Sequence, residues 1–476
     1  MLLYKWIGAL SPVSCLLSTA WAQAVYDADP EGLDHANYIF NAIHSSMRHW
    51  GTSIYPNGVA FHLATVPKGT QFYHGTGLSE PIKGLEWLAF SPQHSLGFAH
   101  RASGGFQMKD RALRRSSTEK QQPIDHDAPF KTFSNSDGHG YLHTYAAAKD
   151  LRLLYIDGES AGPRGSMQSQ DILLYNNTID GWKPVSKPSI GGPPSEQARA
   201  ILGCRMVEEV WGERIDGIVR TEGDFEIILC NFERDLEVVH ITQTRPQENG
   251  PGGEKGRRPG AHGGPGHRGK PSKRETYWSL AARFDEALGQ KIRLDFDHFV
   301  SAYTYGLDLF PNKATMPQLD NIPNEQLDPI RRDINTMINN REPSLHPFNW
   351  QHIADMIVLR YSDDLQTFAA GNFSSLESMR DRIEQLLEPF IDYRDSENRA
   401  VIVDRCHKEF IPTMAPVDSL GGQAVRSVSR KICSTFTSTL LSADLDLDTA
   451  VRSFRELVVF LGWTTWKAEE WKDGYY

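Results

Sequence analysis

Long apolar runs are what this 476-residue chain most conspicuously lacks. After the first two dozen residues nothing approaches the roughly 18 consecutive apolar positions of a membrane-spanning helix, so no membrane span is expected. An excess of positive charge is also missing. Lys and Arg number 50 against 60 Asp and Glu, a net charge of −10, which argues against a surface dedicated to nucleic acid or anionic membrane. Metal-binding patterns are absent too. There is no His-Glu-x-x-His. His139 and His143 are four apart, but in a loop-and-strand context where that spacing does not converge on an ion. Asp444, Asp446 and Asp448 begin like a calcium loop, yet Thr449 stands where the turn glycine belongs and no Glu closes it. No metal is expected, and no internal repeat is visible.

What is present begins at the N-terminus. Met1 to Lys5 carries one positive charge, and Trp6 to Ala20 is an apolar stretch too short to span a bilayer. Ala22-Gln23-Ala24 then supplies a small-x-small pattern, followed by Asp27, Asp29 and Glu31. This is the layout of a cleavable signal peptide over residues 1–24, cut after Ala24 or, next best, Ala22, and it implies a secreted, extracellular product. Of the five cysteines, Cys15 lies in that peptide. Cys204, Cys230, Cys406 and Cys433 remain, an even count that suits an oxidising compartment. Three connectivities are possible in principle. One pair falls in each half, so Cys204–Cys230 with Cys406–Cys433 is the economical choice. Asn176-Asn177-Thr178 and Asn372-Phe373-Ser374 are N-glycosylation acceptor tripeptides, which gain meaning from the secretory context.

Residues 245–274 hold nine Gly and five Pro, eight Lys or Arg against two Glu, and no Leu, Ile, Val, Met or aromatic. Nothing there offsets the entropy of ordering, so a disordered basic linker is expected. It divides the chain into 25–244 and 275–476. Lys273-Arg274 at its end is a dibasic pair expected to act as a processing site, and cleavage there would give two chains that no disulfide joins.

The segment 25–244 reads as α+β. Val59 to Val66, Thr70 to Tyr73, Trp87 to Phe90, Tyr141 to Tyr145, Leu151 to Ile156, Gly217 to Val219, Phe225 to Cys230 and Leu236 to Ile241 are apolar, β-branched or aromatic runs between turn residues. Helices are expected at 34–50 and 195–212. The segment 275–476 reads as all-α. Leu376, Met379, Ile383, Leu387 and Phe390 recur at helical spacing behind a Ser374/Glu377 capping box. Val451, Phe454, Leu457, Val458 and Leu461 repeat the pattern between Asp448 as N-cap and Gly462 as C-cap.

Three pieces of the first segment carry chemistry in order along the chain. Gln71-Phe72-Tyr73-His74-Gly75-Thr76 is a strand ending in a His-Gly pair. Glu86-Trp87-Leu88-Ala89-Phe90-Ser91-Pro92 is a second aromatic strand. Phe225-Glu226-Ile227-Ile228-Leu229-Cys230 is a late strand opening on a carboxylate. This set resembles the ADP-ribosyltransferase superfamily, in particular its class with a His-Tyr-Glu triad. The resemblance implies a split β-sheet fold and NAD as substrate. It implies that His74, Gly75 and Thr76 hold the ribose, that Trp87 or Phe90 stacks nicotinamide, and that Glu226 is the catalytic carboxylate. The Tyr of the family's triad has no counterpart here; Ala89 and Phe90 lie nearest to its place. Chemically, breaking the nicotinamide–ribose bond creates an oxocarbenium-like sugar that a fixed carboxylate stabilises. The acceptor would be water, a small molecule or a protein. The chain as a whole is similar to secreted proteins of filamentous fungi, a resemblance that bears on location and not on chemistry. A fungal secreted interaction or effector protein that keeps the fold without the activity is the competing reading.

Gly158-Glu159-Ser160-Ala161-Gly162 offers a third reading, a serine esterase with Ser160 as nucleophile, since it is a G-x-S-x-G pattern directly after a strand. Pro163 and Gly165 interrupt the helix that should follow, and no oxyanion-loop glycines precede it.

Overall fold

The computed structural model describes residues 33–49, 57–99, 140–161, 168–175, 195–222, 224–244, 289–314, 316–342, 347–394 and 398–466. The signal segment 1–24, the linker 245–274, His139, Asn176, Lys273 and Arg274 lie outside the described residues.

Nine strands form one mixed sheet among the described residues. They are β1 (Asn57–Val66), β2 (Gln71–Thr76), β3 (Glu86–Ala89), β4 (Tyr141–Ala147), β5 (Leu151–Gly158), β6 (Gly217–Glu222), β7 (Asp224–Leu229), β8 (Leu236–Gln243) and β9 (Arg293–Ser301), in the spatial order β8-β4-β2-β3-β7-β6-β5-β1-β9. Only β5 and β6 run parallel among these neighbours. Central strands are covered on both faces, which is why β5 and β7 read as near-continuous apolar runs rather than as alternations. The edge strand β8 is mostly exposed. All eight strands expected before residue 244 are present, most of them a residue or two longer.

Short helices connect the strands: α1 (Ala36–Ser45), α2 (Pro92–Leu96), α3 (Gln168–Leu173), α4 (Ser195–Glu209) and α5 (Phe232–Asp235). Six more follow: α6 (Asn324–Asn340), α7 (Trp350–Ala370), α8 (Leu376–Leu387), α9 (Arg399–His407), α10 (Leu420–Leu441) and α11 (Leu447–Leu461). The C-terminal region is therefore helical, but not all-α, because it also supplies β9. Its strand character is hidden by Asp295, Asp297 and His298. The register against β1 jumps between His62, opposite Phe299, and Ala64, opposite Leu294. In the resulting bulge the Asp295 carboxylate accepts the N–H groups of Asp297 and His298 at 2.9 and 3.1 Å.

The exchange is reciprocal. While β9 enters the sheet from beyond residue 274, α1 from the first segment is held by the later helices. Asn37 and Asn41 donate their side-chain amides to the carbonyls of Phe460 and Leu461 at 2.6 and 2.8 Å. Gln351 donates to the carbonyls of Ile43, His44 and Ser46 at the end of α1. Arg48 forms a two-bonded pair with Asp355 at 2.7 Å. One apolar core accordingly runs through Phe40, Phe61, Trp350 and Phe436 without a break at the compositional boundary.

Disulfides join Cys204 to Cys230 and Cys406 to Cys433. The first ties α4 to the end of β7, and the second ties α9 to α10. Two caps differ from expectation by one or two residues. The capping box at α8 is Ser375 with Ser378, because the serine hydroxyls reach the backbone that Glu377 does not. Asp446, not Asp448, caps α11 by accepting the Thr449 N–H at 2.8 Å. Gly462 ends α11 as expected, with φ 55.

Candidate functional site

Sheet register decides which candidate residues can meet. Directly opposed residues on neighbouring strands share a face. Tyr73 is opposite Ala89, Ala89 opposite Glu226, and Glu226 opposite Arg220. These four make one row across β2, β3, β7 and β6. The antiparallel pairing of β6 with β7 sets Glu222 opposite Asp224, Thr221 opposite Phe225 and Arg220 opposite Glu226.

Arg220, only 1% exposed, donates through Nε and Nη2 to Oε1 of Glu226 at 3.0 and 2.5 Å. Its Nη2 also donates to Glu196 of α4 at 2.6 Å. Glu196 in turn accepts from Arg199 at 2.6 Å, and Arg199 grips both oxygens of Asp171 of α3 at 2.7 Å. The result is a chain of alternating charge running Asp171, Arg199, Glu196, Arg220, Glu226. Burial alone would raise the Glu196 carboxyl, but Arg220 and Arg199 outweigh it and hold it below the usual carboxylate range. Burial would likewise weaken the Arg220 cation, and Glu226 and Glu196 reverse that. Oε2 of Glu226 accepts a hydrogen bond from none of the described residues. Beyond the row, Trp87 and Ile228 pack against Ala200 and Cys204 of α4 on the same face.

His74, the residue after Tyr73, lies on the other face of the sheet with Phe72, Phe90 and His143, so the fold does not bring it together with Glu226 as the resemblance implies. Its Nδ1 lies 2.8 Å from the Trp87 carbonyl oxygen, so Nδ1 carries the proton and donates. Nε2 is buried and has no hydrogen-bond partner among the described residues. Its ring neighbours are His143 and Phe232, with centroids at 6.2 and 6.0 Å. Burial pulls the His74 pKa down to about 4, against the opposing pull of the Trp87 carbonyl. The imidazole is neutral at ordinary pH, with Nε2 as a bare acceptor. Gly75 is required by close packing: a Cβ there would fall 1.8 Å from the Ser95 carbonyl oxygen of α2. Thr76 is buried and accepts the Leu78 N–H at 3.3 Å.

Two expectations are corrected here. Phe90 is fully buried among Phe72 and Phe225, with centroids at 5.1 and 5.5 Å, on the face away from Glu226, and so it cannot stack a ring beside that carboxylate. Period-two alternation from Ala89 makes this unavoidable. Ser160 is 1% exposed, and its Oγ donates to the Ile156 carbonyl at 3.0 Å, so among the described residues it is presented to no base as a nucleophile. His143 bonds the Tyr145 hydroxyl and the Leu78 carbonyl. Among the described residues no group of three or more His, Cys, Asp or Glu side chains is placed to hold a metal ion. The residues that sequence reasoning missed are Arg220, Glu196 and Tyr73. Extending the pairing of Glu222 with Asp224 back along both strands would have found Arg220.

One family model matches the segment that holds these residues. Residues 26–138 and 107–250 match the family described as the YPL277C N-terminal domain. The N-terminal half resembles this fungal family. Two Saccharomyces cerevisiae proteins are similar to the chain, the uncharacterized proteins YOR389W and YPL277C, each 32% identical over 217 and 219 residues respectively and each covering 44% of this chain. The matched stretch spans about a third of YOR389W and under half of YPL277C, 34% and 43%. No solved structure matches the chain. The YPL277C N-terminal domain match covers β1 to β8 and both ends of the Arg220–Glu226 pair. It ends before β9.

Proposed function

We propose that the chain is a secreted, disulfide-bonded protein whose sheet, similar to ADP-ribosyltransferases, cleaves the nicotinamide–ribose bond of NAD and passes the ADP-ribose to water or to an acceptor. The observation that supports this most is the placement of Glu226. Its strand neighbours the aromatic strand β3, and one carboxylate oxygen is anchored by Arg220 while the other accepts nothing from the described residues. A carboxylate held this way suits the positive charge that develops on the sugar.

The oxidised cysteine pairs agree with the signal-peptide reading of residues 1–24. Asn372 is exposed just after α7 and is accessible to a glycan; Asn176 and the dibasic Lys273-Arg274 complete the set of proposed processing positions.

A second reading, a secreted interaction protein without catalysis, draws on two observations: Ala89 stands in the row where the triad's tyrosine would be expected, and Phe90 is buried on the other face. Purified, oxidised protein assayed for nicotinamide release separates the two. Under the enzymatic reading, wild type releases nicotinamide, Glu226→Gln does not, and Ser160→Ala changes nothing. Wild-type protein that neither binds NAD nor releases nicotinamide leaves the interaction reading.

A further inference from the structure

We propose that Arg220 is the positioning residue of this site: it grips Glu226 by Oε1 alone, so that Oε2 is the oxygen that meets the substrate. This rests on the NAD-cleaving reading above and extends it to the group that aims the carboxylate.

The geometry is unusual for a structural ion pair. A guanidinium facing a carboxylate ordinarily makes two parallel bonds, one to each oxygen. Arg199 does so with Asp171 at 2.7 Å on each side. Arg220 instead sends both Nε and Nη2 to the same oxygen. The terminal torsion of a Glu side chain is otherwise broad, and two donors converging on Oε1 remove that freedom. Arg220 is fixed in turn. Glu196 takes a second bond from Nη2 at 2.6 Å, and the Gln170 amide oxygen lies 3.5 Å from Nη1. Cys204, on the same helix as Glu196, is bonded to Cys230 at the end of the strand that carries Glu226. The helix that steadies the arginine is thus covalently tied to the strand that it serves. Ala89 flanks Glu226 on the side away from Arg220 with the smallest side chain in the row.

The test compares Arg220→Lys, Arg220→Gln, Glu196→Gln and wild type in nicotinamide release, with kcat and KM for NAD separated and melting temperature recorded. Positioning predicts that Arg220→Gln lowers kcat by roughly 10²-fold with KM little changed, since the loss is felt at the charged transition state. Lysine, with one donor line to Oε1, restores part of it. Glu196→Gln, which leaves Arg220 and Glu226 untouched, lowers kcat by a smaller factor in protein that still melts cooperatively. It keeps the question open to experiment should Arg220→Gln fail to fold. Active wild type with kcat unchanged in folded Arg220→Gln or Glu196→Gln overturns the positioning role and leaves NAD cleavage standing. A rise in kcat on losing Arg220 overturns it too, by making the arginine a quencher. Wild type that releases no nicotinamide overturns the parent reading and this one together.

Discussion

On one face of the sheet, Asp171, Arg199, Glu196, Arg220 and Glu226 set charge against charge beneath α3 and α4. On the other, Phe72, Phe90, Phe225 and the stacked pair His62–Phe299 set ring against ring. Alternation along β7 sends Glu226 to one face and Phe225 to the other, and helices α3 and α4 add Asp171, Glu196 and Arg199 to the charged face alone. Burying charge contributes little net stability but fixes orientation. Burying aromatic area is what holds a sheet of this size together. The ring face is also where the two compositional segments interlock. Tyr155 accepts the Met47 N–H beyond α1 at 3.2 Å, and Phe299 arrives on β9. The later helices and β9 thus complete the fold, while the proposed chemistry draws on the charged face.

That division can be broken at several points, the most drastic being to remove the second segment. Residues 25–244 alone would leave β1 without β9 and α1 without its helical partners, exposing Phe40, Phe61 and His62. No cooperative thermal transition is expected by circular dichroism. A truncated protein that melts cooperatively near the full chain's temperature would make the segments independent. Cutting the chain within 245–274 is milder. Composition suggests that the products separate; the shared sheet and the α1 contacts predict that they co-elute on size exclusion under native conditions and part only in denaturant. Elution as two separate species would count against the interlock.

Removing Cys406 and Cys433 as a double alanine variant should cost roughly 3–4 kcal/mol, since the bond closes a loop with a separation of 27 residues. The loss should appear as a lower denaturation midpoint with nicotinamide release unaltered. A parallel loss of activity would tie the helical region to the site.

A subtler effect concerns Asp157, buried at the end of β5 with Oδ1 accepting the Ala60 N–H at 2.8 Å. Burial pushes its pKa up to about 7, against the opposing hydrogen bonds. A carboxyl that prefers its neutral form in the fold contributes stability that is complete below about 4. That contribution is lost as pH rises toward and through 7. Asp157→Asn keeps the acceptor and removes the titration. It should be little different from wild type at pH 4 and a few degrees more stable at pH 8. Equal melting temperatures at both pH values would show that the carboxylate is better solvated than its surroundings imply.

Much of this was legible in the sequence. The eight strands before residue 244 announce themselves as apolar runs between turn residues, and both disulfides follow from one pair per segment. Strand β9 was hidden because its bulge places Asp295, Asp297 and His298 inside the run, breaking the period on which recognition depends. The exchange of α1 and β9 was hidden for a different reason. Composition marks where a chain need not pack, and it carries no information on which elements either side of the gap meet. The candidate residues were visible one by one, but their arrangement was not. His74 and Glu226 stand out by motif, whereas alternation from Ala89 turns Phe90 into the core, and Arg220 joins Glu226 only through the hairpin register.

The most direct test of the division between faces is nicotinamide release and thermal unfolding measured together on wild type and Glu226→Gln. Glutamine keeps the shape and one acceptor for Arg220, and Arg220 retains Glu196 as a counter-charge. The expected result is release in wild type, a loss on the order of 10²–10³ in the variant, and a melting temperature shifted by no more than a few degrees. A variant that unfolds without its charge, or one that releases nicotinamide at the wild-type rate, would contradict the account.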